Sequence, residues 1–183
     1  IESAAISTYI IDQYAPADFS PSKDDGDYYE YQQLMHYAEG SAMLPMLLLL
    51  YSSSLGKNAE PLMNRIFSEI NLHIGYLSEC LGENDFFFRN KFSGLDTMIS
   101  FVLEAAKISD SLKSFPNLIN ALDNYQSRSA YKKALEINSN YLEAYNNLGN
   151  AYRNLGQFKE ASVSYQKAIA IKQDYPTTHN NLG

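Results

Sequence analysis

The chain has 183 residues, enough for one large domain or two small ones with a buried core. Hydrophobic residues make up 45% and charged residues 19% of it, which is typical of a globular protein rather than of a disordered tail. The formal net charge of −7 argues against nucleic acid or an anionic membrane surface as the main partner.

Cysteine content and hydropathy bear on where the protein works. The single cysteine, Cys80, cannot form an internal disulfide and is compatible with a reducing compartment, so we expect a cytoplasmic protein. No stretch reaches the roughly 18 apolar residues of a membrane span, and no signal-peptide pattern is present. The chain starts at Ile1 without a methionine and stops at Gly183 within a repeat, so we expect both ends to be cuts in a longer chain.

The first half of the sequence predicts helices separated by turns. Residues 2–13 have a short helical pattern, and residues 14–27, with two prolines and a charge run, predict an exposed linker. A helical pattern then covers residues 28–52, with a kink expected at Pro45. In the next helix, apolar residues recur every three or four positions up to Gly82, which is well placed to end it.

The next helix carries a start signal. Ser93 places a hydroxyl at the N-cap, and Asp96 places a carboxylate three residues later, a short variant of the capping box. The helix that follows is apolar over a wide arc, so we expect it in the middle of a bundle. A further helix is expected from Pro116. No segment predicts a strand, and the predicted fold class is all-α.

The C-terminal part contains an internal repeat. A shift of 34 residues places residues 145–149 on residues 179–183 and residues 131–137 on residues 165–171. A period of 34 residues is that of the tetratricopeptide (TPR) repeat, which residues 142–175 resemble closely. The positions that match its signature are Tyr145, Leu148, Gly149, Tyr152, Ala161, Tyr165 and Ala168.

The TPR pattern has a physical basis. Two antiparallel helices can approach closely only where small residues face each other, and rings fill the remaining space. The resemblance also places Asn147 and Asn181 on the concave face, where such asparagines can bind a peptide backbone. One repeat with fragments does not make a groove, so consensus filling is the alternative for both.

The first part of the chain resembles the C-terminal helical domain of a cytosolic glutathione transferase of fungal or bacterial type. The resemblance is carried by residues 2–10, by Tyr37–Ser41 with the apolar run that follows, by the Ser93–Asp96 box and by Arg128–Tyr131. It implies a helical bundle over residues 28–137, preceded in residues 1–27 by the last helix of a thioredoxin-like domain and a linker.

The same resemblance implies site residues. Glu2 and Ser3 correspond to residues that hold the γ-glutamyl end of glutathione, which would be a substrate. The activating residue of that family lies upstream of this sequence, so we interpret the pair as vestigial, and we expect no catalytic residue, no cofactor and no metal site. Candidates for the hydrophobic-substrate pocket are Tyr29, His36, Tyr37, Gly40 and Met43. The alternative for these five is core or dimer seam.

The two resemblances overlap. Residues 131–137 are both the closing helix of the transferase-type domain and the second helix of a TPR repeat, so residues 131–183 share a helix with residues 28–137. Ser129 stands where the transferase family has proline, which we interpret as removal of a residue that would break the helix.

The leading hypothesis is an engineered, non-catalytic fusion scaffold. Because members of the transferase family are homodimers, we expect a dimer through the 43–51 run and the helix from Ala59. A glutathione transferase that conjugates glutathione to electrophiles is one alternative, and a TPR adaptor that binds peptides is another.

Overall fold

The computed structural model describes residues 3–137, 145, 149, 152–153 and 158–171. This part of the chain is all-α, as predicted, apart from one isolated bridge between Phe88 and Lys91. Its α-helices are α1 Ser3–Tyr14, α2 Tyr28–Tyr37, α3 Leu44–Ser53, α4 Glu60–Leu81, α5 Gly94–Ile108, α6 Pro116–Ser127, α7 Ser129–Ile137 and α8 Phe158–Ile171.

The described residues group into two compact units. The first contains those up to Met46 and those from Phe67 to Tyr125, and the second contains those from Leu47 to Ile66 and those after Tyr125. Within the described helices, none is long and apolar enough to cross a membrane.

The helical run that begins at Tyr28 is interrupted just before Pro45, the residue at which the sequence predicted a kink. After α2, residues Ala38–Ala42 form a π-helical segment, and α3 begins at Leu44 just before Pro45. A π-helical turn has a wider hydrogen-bond spacing than an α-helical turn and rotates the side chains that follow. The segment carries Glu39, whose contacts are described below.

Helix α5 has the central position that its apolar arc predicted. Leu95, Ile99, Leu103 and Ala106 are almost completely buried. At its start, Gly94 allows a close approach: a Cβ there would clash with Ile11 Cδ1 of α1 and would lie 2.8 Å from Tyr31 Oη of α2. A glycine at this position therefore lets α1 and α2 pack on the first turn of α5.

The sequence predicted an exposed linker between α1 and α2, but part of this segment is buried. Pro21 is buried, and Phe19 is half-buried with its ring 5.9 Å from that of Phe92. The Phe19 carbonyl accepts a hydrogen bond of 3.3 Å from the Gly94 amide, one of the free donors at the α5 N-terminus. The prediction is wrong for the middle of this segment because the Phe92 ring and the N-terminus of α5 contact it.

In the second unit, α8 has one buried face, which includes two alanines and a tyrosine ring between them. Ala161, Tyr165 and Ala168 are buried at the spacing of helical neighbours. The Tyr165 ring lies directly on Gly149, where a Cβ would come within 2.9 Å of its Cζ. The backbone at Gly149 and α8 can therefore approach closely, which is what the repeat pattern predicted for a small residue against a ring.

Candidate functional site

The predicted glutathione contact at Ser3 lies at the start of α1, and Glu2 lies outside the described residues. The Ser3 hydroxyl donates a 2.9 Å hydrogen bond to Glu39 Oε1, and the Ala4 amide donates one of 3.3 Å to Glu39 Oε2. Both oxygens of one side-chain carboxylate are therefore bound by the first turn of α1.

The position of Glu39 is electrostatically favourable. Free backbone amides and the helix dipole give a helix N-terminus a partial positive charge, which favours a carboxylate. Glu39 comes from the π-helical segment that follows α2, and it is half-buried against α1. A second carboxylate that used the Ser3 hydroxyl and the Ala4 amide would have to displace it.

The five predicted pocket residues differ in exposure. Tyr29 (80% exposed) and His36 lie two turns apart on the outer face of α2, and Gly40 is exposed in the π-helical segment. Met43 is buried in the core at 8% exposure. For Met43 the structure favours the alternative of a core residue, and the other three face solvent.

Tyr37 instead packs against α4. Its Oη lies 2.6 Å from His73 Nδ1, within hydrogen-bond distance, and its ring makes an edge contact with Tyr76 at 4.9 Å. Burial raises the pKa of Tyr37 to about 12, so the phenol stays protonated near neutral pH. Such a phenol is poorly suited to be a general base. No sequence signal paired Tyr37 with His73, because 36 residues separate them.

Cys80 is half-buried on α4. Burial raises the pKa of its thiol, and a hydrogen bond with the Tyr76 hydroxyl opposes that rise. A raised pKa disfavours the reactive thiolate. Among the described residues, no three His, Cys, Asp or Glu side chains are grouped so that they could hold a metal ion.

The predicted capping box at the start of α5 is formed and extends further than the sequence indicated. Asp96 Oδ2 accepts hydrogen bonds from the Ser93 amide (2.8 Å) and hydroxyl (2.9 Å). Asp96 Oδ1 accepts from the Phe87 amide (2.9 Å) and the Tyr125 hydroxyl (2.8 Å). Burial raises the pKa of Asp96, and these donors oppose that rise. The network is closed by protein groups, so its role is structural.

A small cavity of about 110 Å³ lies beside this network, lined in part by Tyr31, Leu34, Phe88 and Arg89. Ligand pockets usually measure roughly 300–1,000 Å³. The cavity is therefore too small for a substrate of ordinary size.

The predicted concave-face residues Asn147 and Asn181, and Leu148 of the TPR signature, lie outside the described residues. The described part of the repeat has Lys167 Nζ 5.9 Å from the centre of the Tyr145 ring. Helix α8 exposes Phe158 and Val163.

The junction between the two predicted regions is helical. Helix α6 ends at Ser127 and α7 begins at Ser129, with Arg128 alone between them. The Arg128 carbonyl accepts the first helical bond of α7 from the Lys132 amide at 3.1 Å. Ser129 is thus the first residue of α7, where proline is well tolerated. The interpretation that a proline at 129 would break this helix is therefore wrong.

Comparison with known proteins gives two kinds of similarity. Residues 130–161 match the family described as tetratricopeptide repeat, and residues 149–183 match the family described as TPR repeat. The chain is also similar to glutathione S-transferase 3 of Schizosaccharomyces pombe, with 28% identity over 122 residues that cover 58% of this chain and 50% of the relative.

The chain therefore spans about half the length of this relative. The C-terminal region is thus similar to TPR repeats, and the chain also has a similarity to a glutathione transferase.

Proposed function

We propose that the chain is a structural scaffold in which a transferase-type helical domain and a TPR module are joined through one shared helix, α7. The TPR module is the part that binds a protein partner, and the helical domain makes the scaffold a homodimer. We further propose that the junction is engineered and that the scaffold works without catalysis in a reducing cytoplasm.

The observation that carries this proposal is the absence of a linker between the described helices at the junction. The TPR match begins at residue 130, the second residue of α7, while α6 ends only two residues before α7 begins. Domains joined by natural fusion are usually separated by an exposed, flexible segment. The single residue Arg128 separates α6 from a helix that belongs to the TPR match, and so short a junction is what we expect where two proteins are joined through a common helix.

The exposed face of α3 supports the homodimer. Leu44, Leu48 and Tyr51 lie one turn apart along this helix and are 54%, 48% and 67% exposed. A row of large apolar residues on one helix face is typical of a surface that another protein covers. In a two-fold dimer the same row of each copy meets the other.

Light scattering coupled to gel filtration tests the dimer. We expect a dimer for the unmodified chain, a monomer for Leu48→Glu, and a dimer for the control Phe101→Glu, which places a charge at an exposed apolar residue of α5. A monomeric unmodified chain at micromolar concentration would overturn this part of the proposal.

The contact between Glu39 and the first turn of α1 supports the proposal that the scaffold works without catalysis. The hydroxyl of Ser3, which the enzyme alternative assigns to the glutathione site, and the neighbouring amide of Ala4 are both bonded to a carboxylate of the chain itself. Tyr37 and Cys80, which could activate a substrate, both have raised pKa values that disfavour their reactive anions.

Glutathione itself is the probe that separates the scaffold from the enzyme. We expect no conjugation of glutathione to an electrophile, and no binding by calorimetry, for the unmodified chain, for Glu39→Ala and for the control Glu30→Ala. Conjugation by the unmodified chain would establish the enzyme alternative. Binding by Glu39→Ala alone would assign glutathione recognition to the α1 N-terminus and contradict a purely structural role.

The adaptor alternative differs in its partner. A TPR adaptor binds a short peptide, so immobilised full-length chain would retain one specific peptide from a peptide library. A scaffold would retain none and would bind a folded TPR partner.

A further inference from the structure

Residues 15–27, here called the strap, join α1 to α2 and lie on the loop formed by residues 85–94. The contact of Phe19 with Phe92 and the burial of Pro21 hold the middle of the strap. The end next to α2 is held by charges. Both segments belong to the first unit, so their contacts can be read directly.

Arg89 of the loop holds two carboxylates of the strap. Its Nε and Nη2 lie 2.7 Å and 2.6 Å from the two carboxylate oxygens of Asp27, and Nη2 also lies 2.9 Å from Asp25 Oδ2. The Asp27 pair is bidentate, the geometry in which arginine binds a carboxylate most strongly. Asp25 Oδ2 also accepts the Ser22 amide at 3.0 Å, which closes the strap on itself.

The loop adopts an unusual conformation to present this arginine. Arg89 and Asn90 both have φ of 49°, a region that residues other than glycine adopt rarely. Asn90 Oδ1 accepts a hydrogen bond from the Asp85 amide at 2.9 Å, and the guanidinium of Arg89 lies 4.7 Å from the centre of the Phe88 ring. Contacts on both sides of the turn therefore compensate for its backbone strain.

Other charged side chains near Arg89, Asp25 and Asp27 are exposed. Lys91 Nζ lies 3.7 Å from Asp18 Oδ2, with both side chains mostly exposed. Glu30 lines the small cavity together with Asp27 and Arg89. Lys23 and Asp24 lie in the strap and are exposed. The bidentate geometry distinguishes the Arg89 pairs from the Lys91 pair, because exposed single-contact ion pairs contribute little.

We propose that Arg89, Asp25 and Asp27 form an acid- and salt-sensitive clasp that closes the strap over the 85–94 loop. Opening the clasp releases the strap and exposes Phe19, Pro21 and Phe92 while α5 and α6 stay folded. The released strap frees the connection to α1, while the contacts of α1 with α5 and the bonds of its first turn to Glu39 remain.

The direction of the pH dependence follows from the carboxylates. Hydrogen bonds from Arg89 hold the pKa of both Asp25 and Asp27 below the ordinary value of 3.8. A carboxylate with a lowered pKa contributes stability that is present above 3.8 and is lost as the pH falls through its value in the folded state. The clasp is therefore closed at neutral pH and opens in acid. Because all three side chains are partly exposed, salt also weakens it.

Hydrogen exchange of the full chain at pH 7 tests the clasp, with residues 15–27 and 85–94 as reporters and α5 and α6 as internal references. For Asp25→Asn/Asp27→Asn we expect several-fold faster exchange in both reporters and unchanged exchange in the references. The control is Asp24→Asn, which removes one negative charge from the strap at a residue outside the clasp and should exchange like the unmodified chain. Raising the salt concentration should accelerate the reporters of the unmodified chain but not those of the double variant.

Carboxyl-carbon titration by NMR provides a second measurement. We expect the midpoints of Asp25 and Asp27 below 3.8 in the unmodified chain and a return towards 3.8 in Arg89→Gln. The proposal is overturned if the double variant exchanges like Asp24→Asn, if α5 and α6 open together with the strap, or if Arg89→Gln leaves both midpoints unchanged.

Discussion

The Tyr125 hydroxyl donates a 2.8 Å hydrogen bond to Asp96 Oδ1, and both side chains are completely buried. This bond ties α6 to the N-cap of α5, the helix around which the first unit packs. Since Asp96 also binds the amides of Phe87 and Ser93, one carboxylate connects the loop, the cap and α6. Its loss should therefore affect the stability of the whole unit.

Removal of the Tyr125 hydroxyl should destabilise the first unit. We expect Tyr125→Phe to lower the free energy of unfolding by about 1.5–3 kcal/mol, the usual range for a hydrogen bond to a charged group. The control is Tyr31→Phe, since the buried Tyr31 hydroxyl has no carboxylate within hydrogen-bond distance in the described part of the chain. That variant should change stability little. Urea denaturation followed by circular dichroism measures both, and an equal cost for the two would contradict this role of Asp96.

The cost of Tyr125→Phe should grow as the pH rises. Burial raises the pKa of Asp96 above 3.8, so its contribution is fully present below 3.8 and is lost as the pH rises through its value in the folded state. The Tyr125 hydrogen bond lowers this pKa, and its removal extends the loss to higher pH. Urea denaturation should therefore show a larger difference between variant and parent at pH 7 than at pH 3.5. A difference independent of pH would show that the bond does not depend on the charge of Asp96.

A methyl group at residue 94 should separate α1 from α5. Gly94→Ala places a Cβ on Ile11 Cδ1, so we expect a loss of about 1–3 kcal/mol, the usual cost of overpacking. Ile11→Val removes the clashing Cδ1 and should recover part of the loss in the double variant. A double-mutant cycle from thermal denaturation tests this coupling, and additive effects would place the cost elsewhere.

The repeat should be equally sensitive at Gly149. Gly149→Ala drives a Cβ into the Tyr165 ring, so α8 should lose its packing and the second unit should unfold at lower temperature, at a cost of about 1–3 kcal/mol. Gly75→Ala in α4 is the control, because the nearest atom to its Cβ is 3.9 Å away in the Phe115 ring. That substitution should be neutral or stabilising by about 0.5–1 kcal/mol. Hydrogen exchange in α8 shows whether the loss of stability is local to this helix or affects the whole chain.

The shared helix should accept a proline at its start but not in its interior. Ser129→Pro alters the first residue of α7 and should cost little. Lys132→Pro removes the amide that donates to the Arg128 carbonyl and should cost about 3 kcal/mol or more. Loss of helical circular dichroism in Ser129→Pro would show that α7 begins before residue 129.

Helices and the repeat were predictable because their signals are local. Apolar spacing predicted the core side of α4, Gly82 ends that helix with φ of 57°, and Pro116 begins α6. The 34-residue period predicted a close approach of small residues to rings, and Tyr165 lies on Gly149. The exposure of the predicted pocket residues was not predictable in this way. The sequence indicated only their positions along α2 and the segment after it. The π-helical segment and the packing of α4 decided which of them face solvent.

By itself, the sequence determined which segments are helical, where most helices begin and end, and that the C-terminal region repeats, since each follows from residues within a few turns of one another. Only the tertiary structure decided that Glu39 binds the start of α1, that Arg89 binds the strap and that Tyr125 binds Asp96. These partners lie 36, 62 and 29 residues apart, and no periodic pattern relates them. Their pairing depends on how the helices pack, because a polar side chain bonds to whichever partner the packed backbone brings within 3 Å.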